Sequence, residues 1–355
     1  MRFHPDSDQV AIQDAVKGTL EQVFPRDRMM AFIEDPSDHD EASWTALMEL
    51  GLSGLMLEEA DGGAGLGLFE AALVMEELGR GAAPGALMGQ LITTLACQLS
   101  DTAAAKEFLP QLLTGETIAT FAFGGNWLPE SWTILSDDGV LTGQVPFVPC
   151  GNAASLFLVG TSGGGLALAR KSSAVTVNTL QSSDRTRPSV SLRLDGAEAI
   201  SLFEPGDRRV QRLFDAALIL VAADALGGAQ YCTDLSVSYA QDRHQFGQPI
   251  GRFQALKHQL ATMAMNVESA RSLVWYAAYA WDKQLADASR SASLAKAHLC
   301  DQFTTVSRDA IASHGGIGYT WEYGLNVWFR RSIFNRAVLG SPTLHRARSS
   351  DLAGW

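Results

Sequence analysis

Apolar residues near the start of the chain recur at helical spacing. Ile12, Ala15, Val16 and Leu20 fall on one face, with Asp6 or Ser7 placed to cap the helix and Pro25 to end it. A second helix is expected over Glu41 to Leu50, stopped by Gly51. Residues 61–66 are glycine-rich and read as a connection. Three more helical runs follow, Leu68 to Leu78, Ala86 to Leu99 and Thr102 to Leu113, and Gly115 marks the end of this region. From Ile118 the pattern changes. Phe121, Phe123, Trp132, Ile134, Leu141, Val145 and Val148 stand in short runs cut by Gly, Pro, Asn and Asp, which is strand punctuation. Leu156 to Val159, Leu166 to Ala169, Ala174 to Val177 and Val190 to Leu194 continue it, until Pro205–Gly206 closes the region. Beyond it, Phe214 to Tyr239 is rich in Ala, Leu and Val. Leu256, Leu260, Met263, Val267 and Val274 then mark one buried helical face. The expectation is an α+β fold in three parts: an α-helical domain over 1–118, a small antiparallel β domain over 119–204 and an α-helical domain over 205–355.

The 355 residues exceed one typical core, which fits several packed regions. Hydrophobic residues make up 46%, ample for such interiors. The formal charge of −12 argues against non-specific nucleic-acid binding, which needs basic surface. Cys97, Cys150, Cys232 and Cys300 form no C-x-x-C pair and read as reduced thiols of a cytoplasmic protein. The stretch Met1 to Asp6 is polar, unlike a signal peptide. No run of apolar residues is expected to reach the ~18 needed to span a bilayer. His258 and His298 lie far from any metal-ligand spacing, and no metal site is expected.

The most chemically pointed stretch lies between the two long helical patterns: Asp242-Arg243-His244-Gln245-Phe246-Gly247-Gln248-Pro249-Ile250, running on to Phe253-Gln254. Arg243 offers a planar fork suited to phosphate or carboxylate. Gly247 permits backbone geometry that a side chain hinders, and Pro249 stiffens the segment. The stretch resembles the R-x-x-F-G-x-x-I-x-x-x-Q motif of acyl-CoA dehydrogenases. His314-Gly315-Gly316-Ile317-Gly318-Tyr319-Thr320-Trp321-Glu322 is similar to that family's h-G-G-x-G-y-T-x-E. Upstream, Glu49-Leu50-Gly51-Leu52, Asp61-Gly62-Gly63-Ala64-Gly65-Leu66 and Glu76-Glu77-Leu78-Gly79-Arg80 complete the family order.

The resemblance implies a helical domain, a β domain and a C-terminal four-helix bundle that forms the core of a tetramer. It also implies a reaction. A carboxylate base removes the α proton of an acyl-CoA thioester while the β hydride passes to FAD. Most relatives place the base 24 residues after the first Gly of the Gly-Gly pair, which lands on Leu339; a minority place it 26 residues before the motif Arg, which lands on Ala217. Neither residue accepts a proton. Asp224 is the remaining candidate, on the same helix face as Ala217 but two turns away, about 10 Å. The family's T-E-P-x-x-G-S-D flavin platform is replaced by Phe121-Ala122-Phe123-Gly124-Gly125-Asn126-Trp127-Leu128-Pro129-Glu130, and Leu218 stands where some relatives carry a substrate-holding Arg. The cofactor-binding cradle persists in Arg243, Phe246, Gln254, Gly315 and Gly316, although Ala312 replaces a usual Gln. In this family the cradle serves the FAD of a neighbouring subunit.

The basic residues Arg330, Arg331, Arg336, His345, Arg346 and Arg348 could meet CoA phosphates or form a solvated or inter-subunit face. Tyr276, Tyr279 and Trp281 read as packing. The overall pattern, including Leu339-Gly340-Ser341-Pro342, resembles the small base-deficient subunits of α2β2 dehydrogenases acting on steroid side-chain acyl-CoA thioesters. A larger homologous subunit is then the expected partner. Two other readings stay open: a homomeric flavoenzyme with a relocated base, and a flavin-free structural or regulatory subunit.

Overall fold

The computed structural model describes residues 4–36, 39–124 and 127–355. Gly125 and Asn126, within the segment that replaces the flavin platform, lie outside the described residues, as do Met1 to Phe3 of the N-terminal stretch.

Helix α1 (Ser7–Val23) opens on a capping box. The Asp6 carboxylate accepts from the N–H groups of Asp8 and Gln9, and the Gln9 side chain accepts from the Asp6 N–H. Pro25 ends α1 but also caps a helix that the sequence reading missed, α2 (Arg26–Glu34), which buries Met29, Phe32 and Ile33. Helices α3 (Glu41–Glu49), α4 (Leu68–Arg80) and α5 (Leu87–Leu99) follow. The single helix expected over Thr102 to Leu113 is two short ones, α6 (Ala103–Lys106) and α7 (Leu109–Leu113); the latter starts with Pro110 in its first turn, where the missing N–H costs nothing.

Seven strands form the middle region: β1 (Ala119–Ala122), β2 (Leu135–Asp137), β3 (Val140–Pro149), β4 (Leu156–Thr161), β5 (Gly165–Arg170), β6 (Val175–Thr179) and β7 (Ser189–Phe203). Their order is β1-β4-β5-β7-β3-β2, with β6 on β7. The sheet is mixed, not wholly antiparallel, because β1 runs parallel to β4. The intervening β2 and β3 provide the long crossover that parallel pairing needs. Strand β1 is tied to the helical domain by Gln90 of α5, which accepts from the Ala119 N–H at 2.8 Å and donates to the Leu112 and Thr117 carbonyls.

The C-terminal domain is built on α8 (Arg208–Asp242). A tight hairpin, β8 (His244–Gln245) and β9 (Gln248–Pro249), turns the chain into α9 (Gln254–Asp282), followed by α10 (Ala288–His314), α11 (Asn326–Ala337) and α12 (Pro342–Leu352). By length and composition α8 is apolar enough to cross a bilayer, contrary to the expectation from sequence. In this fold 94% of its apolar window is buried, so that surface is spent on other helices. Helices α4 and α8 cross very closely. A Cβ on Gly227 would lie 1.7 Å from the Glu76 carbonyl oxygen, and one on Gly79 would lie 2.0 Å from that of Asp224.

Candidate functional site

The C-terminal ends of α8 and α10 meet at one end of the bundle, where the Tyr239 and His314 rings stack 4.4 Å apart. Arg243 caps α8 four residues beyond Tyr239, and Gly315 caps α10 directly after His314. Gln254 opens α9 at the same end, after a hairpin turn of two residues. The fold therefore gathers the cradle residues that the sequence singled out.

All five are exposed. Phe246 is 91% exposed and sits at φ 52°, with Gly247 at φ 78°. Two positive φ values in a two-residue loop define a type I′ turn, for which Asn-Gly is the favoured pair and Phe is strained. An exposed, strained aromatic is a feature of binding surfaces rather than of folding. Gly315 adopts φ 65°, ψ −141°, a region essentially reserved for glycine. A Cβ on Gly315 or Gly316 would meet nothing within 4 Å, so the space above this backbone is open. The first turn of the 29-residue α9 has no side-chain cap and no acidic residue, which leaves its N–H groups and positive dipole end for an anion.

The two base positions are elsewhere and closed. Ala217 and Leu339 are fully buried. Leu339 lies at φ 57° in the turn between α11 and α12. That turn is pinned by groups the sequence reading missed. Lys296, itself buried, donates to the carbonyls of Asn335 (2.7 Å) and Gly340 (3.0 Å), and His345 Nε2 donates to the Leu339 carbonyl (2.7 Å). Burial and the Lys296 charge push the His345 pKa down to about 3.

Asp224 is not free to act on a substrate. Arg331 grips both its oxygens through Nε (3.2 and 3.1 Å) and again through Nη2; Asn335 Nδ2 donates at 2.6 Å and Arg187 Nη1 lies at 3.5 Å. Burial alone would raise its pKa, but the charges of Arg331 and Arg187 outweigh burial and hold it below the usual carboxylate range. Arg187 also pairs with Asp184 at 2.8 Å, and Arg331 Nη1 donates to the Ala83 carbonyl (2.9 Å) and to Thr186 Oγ1 (2.8 Å). Two guanidinium groups thus face two carboxylates in a buried cluster that joins all three domains.

This cluster, with Phe121 and Phe334, lines a cavity of only about 20 Å³, room for about one water. The segment that replaces the flavin platform contributes to the same filling. Phe121 and Phe123 pack 5.0 Å apart and Phe123 stacks on Trp132 at 4.7 Å. Arg187 lies 4.1 Å over the Phe334 ring. The buried cluster leaves no room for a flavin within it; the exposed backbone at the bundle end offers N–H groups suited to an anion.

The basic residues near the C-terminus do not form a free basic face. Arg331 is in the buried cluster, Arg336 and Arg346 both pair with Asp301, Arg348 pairs with Asp215 at 2.7 Å, and His345 is buried. Arg330 lies over the Trp321 ring and donates to the Ser183 carbonyl at 3.4 Å, so the exposed members of this group, Arg336 and Arg346 included, are each engaged within the chain. Tyr276 donates to Asp287 and Trp281 to the Arg212 carbonyl, which are packing roles.

Comparison with known proteins gives consistent matches. Residues 6–116 match the acyl-CoA dehydrogenase N-terminal domain and residues 205–350 match the acyl-CoA dehydrogenase C-terminal domain. The chain is 32% identical over 336 residues to the acyl-CoA dehydrogenase IpdE2 of Mycolicibacterium smegmatis, covering 93% of this chain and 94% of that one. It is 34% identical over 308 residues to IpdE2 of Mycobacterium tuberculosis, covering 86% and 84%. Among solved structures, a variant of the Tcur3481–Tcur3483 steroid ACAD superposes with a TM-score of 0.90 at 29% identity, covering 98% of each chain.

Proposed function

Because the chain belongs to the acyl-CoA dehydrogenase family, we propose that it is the base-deficient subunit of a heteromeric, FAD-dependent acyl-CoA dehydrogenase. The observation that carries this reading is a division within one chain. The cradle residues gathered at the bundle end are exposed, with Ala312 replacing one usual Gln, while both base positions carry apolar, fully buried side chains and the nearby three-domain junction is tightly filled. Similarity to a steroid ACAD whose name joins two designations supports both a homologous partner chain and a bulky, polycyclic acyl-CoA thioester as substrate. Four buried cysteines, none of them in a disulfide, support work in a reducing compartment, the cytoplasm.

In this reading FAD, when bound, supplies the hydride acceptor for α,β-desaturation. This chain's residues bind and orient it. Arg243 would hold the diphosphate through its N–H donors, and the open backbone at Gly315 and Gly316 would let further N–H groups reach it. The first turn of α9, with Gln254, adds N–H groups. Phe246, exposed at the hairpin tip, would lie against the partner chain. The carboxylate that takes the α proton comes from the partner.

The test is co-expression with a longer homologous chain that carries both the Glu and the T-E-P-x-x-G-S-D segment. The isolated chain should be colourless and the complex yellow. Arg243→Ala in the complex should weaken FAD about 10- to 150-fold, since a hydrogen-bonded charge is worth about 1.5–3 kcal/mol. FAD held by the isolated chain in an Arg243-dependent manner would favour a homomeric enzyme. A complex whose FAD content ignores Arg243 would leave a scaffold role.

A further inference from the structure

A cavity of about 300 Å³ opens where α1, α2, α4, α8 and α11 meet. That volume is at the lower end for small-molecule sites. Its walls are apolar: Leu20 and Phe24 from the end of α1, Met29 from α2, and the Tyr231 and Trp328 rings, which stack 4.0 Å apart. Trp328 is locked in place because Nε1–H donates to the carbonyls of Gly79 (3.3 Å) and Arg80 (3.2 Å). No cradle residue lines this space.

The rim is charged. Lys17, Arg26 and Arg80 stand against Glu21 and Glu77. Two of the cations are fixed. Arg26 donates to the carbonyls of Glu322 (3.2 Å) and Tyr323 and lies 5.4 Å over the Tyr323 ring; Arg80 pairs with Asp234 at 2.7 Å. Among the described residues, the Lys17 and Glu77 side chains make no hydrogen bond or ion pair within contact distance, though both Lys17 and Arg80 act on Glu77 electrostatically. Burial, and then the adjacent Glu76 charge, raise the Glu77 pKa to about 7. Arg80, Lys17 and Arg271 of α9 oppose that rise. Lys17, Arg26 and Arg80 face Glu21, Glu77 and, through its pair with Arg80, Asp234, so protonation of Glu77 leaves the rim net positive.

We propose that this cavity binds an amphipathic monocarboxylate. Its ring or chain body lies against Met29, Tyr231 and Trp328, and its carboxylate lies among Lys17, Arg26 and Arg80. Protonated Glu77 donates a hydrogen bond to that carboxylate, so binding holds a proton on Glu77. An amine of the same shape meets the wrong charge.

The test titrates the full chain with 2-naphthoate and with decanoate, followed by tryptophan fluorescence and calorimetry at pH 6 and pH 8. Saturable one-to-one binding is expected at pH 6, with a dissociation constant of about 0.1–1 mM for a ligand of roughly a dozen heavy atoms. Affinity should fall about tenfold at pH 8, where a group titrating near 7 has lost most of its protons. Glu77→Gln should keep binding and lose the pH dependence. Gly81→Leu should fill the cavity and cost more than about tenfold in affinity. Gly81 has φ −79°, and its added Cβ would meet only Leu20 (3.5 Å) and the Glu77 carbonyl (3.6 Å), ordinary contacts. Should Gly81→Leu fail to fold, Lys17→Ala, on the exposed side of α1, should weaken the acids about 3- to 10-fold. The proposal is overturned if neither acid binds at pH 6, if binding ignores Gly81→Leu and Lys17→Ala, or if 2-naphthylmethylamine binds as tightly as the acid.

Discussion

Asp224 has the role with the clearest energetic consequence. Replacing it with Asn leaves Arg331 and Arg187 buried with two guanidinium charges against the single carboxylate of Asp184. Breaking a buried pair in this way costs about 3–5 kcal/mol, and urea melts at pH 7 should show that loss. The pH dependence follows from the lowered pKa. A carboxyl depressed in the folded state adds stability that is complete above its unfolded value of 3.8 and is lost as pH falls through the lower folded value. The gap between wild type and Asp224→Asn should therefore close only below about pH 4. A gap under about 1 kcal/mol at pH 7 would remove the cluster from its structural role. His345 acts in the same sense but at higher pH. Its folded pKa is pushed down, so the unfolded chain binds a proton first as pH drops below its ordinary 6.5. Wild type should lose about 1.4 kcal/mol per pH unit relative to His345→Gln between about pH 6 and pH 4, read from the same melts. Neither behaviour was legible in the sequence. Arg331 stood in what looked like a basic tail, and His345 in the same run. Only the fold shows that Arg331's partners come from 107 to 248 residues away, and His345's from a turn six residues back.

At the scale of elements, the helical periods were readable because each helix buries one stripe against its neighbours. The misses have local causes. Pro25 was taken as a stop, yet proline also suits a helix start, so α2 was overlooked. The parallel pairing of β1 with β4 depends on a crossover that strand punctuation does not encode. The stretch after α8 was read as a stiff linker, and it is a hairpin whose tip holds Phe246 at φ 52°. That hairpin offers a test of the lent cradle. Phe246→Asn installs the pair that a type I′ turn favours and should stabilise the isolated chain by about 0.5–1 kcal/mol in a denaturant melt. The same change removes the exposed ring, so it should weaken assembly with the partner and reduce retained flavin. A variant that loses stability and keeps its flavin would show that the ring serves the fold rather than the interface.

At the scale of the whole molecule, order along the chain and closure of the junction have different origins. The helix–strand–helix order follows from periods within each segment and was visible before any coordinates. The closed junction arises from residues of all three domains, with Ala83, Arg187 and Asp224 joined through Arg331, and no single segment announces it. The apolar residues at the two base positions were legible, because counting from Gly315 and Arg243 needs only sequence. A missing base alone would be repaired by supplying a carboxylate. The filled junction predicts that it is not. Leu339→Glu or Ala217→Glu in the isolated chain, with FAD in excess, should give no anaerobic flavin bleaching by short, long or steroid acyl-CoA thioesters. General base catalysis is worth about 10²–10⁴ in rate, but it acts only on a substrate that reaches the new carboxylate, and both positions are fully buried in this fold. The new carboxyl would also be buried in an apolar place, where desolvation raises its pKa and keeps it protonated. At Ala217, fully buried within α8, it should lower the unfolding midpoint as well. Rapid flavin reduction by either variant would mean that the junction opens to substrate. The division between a lent cradle and a closed centre would then have to be abandoned for a homomeric enzyme.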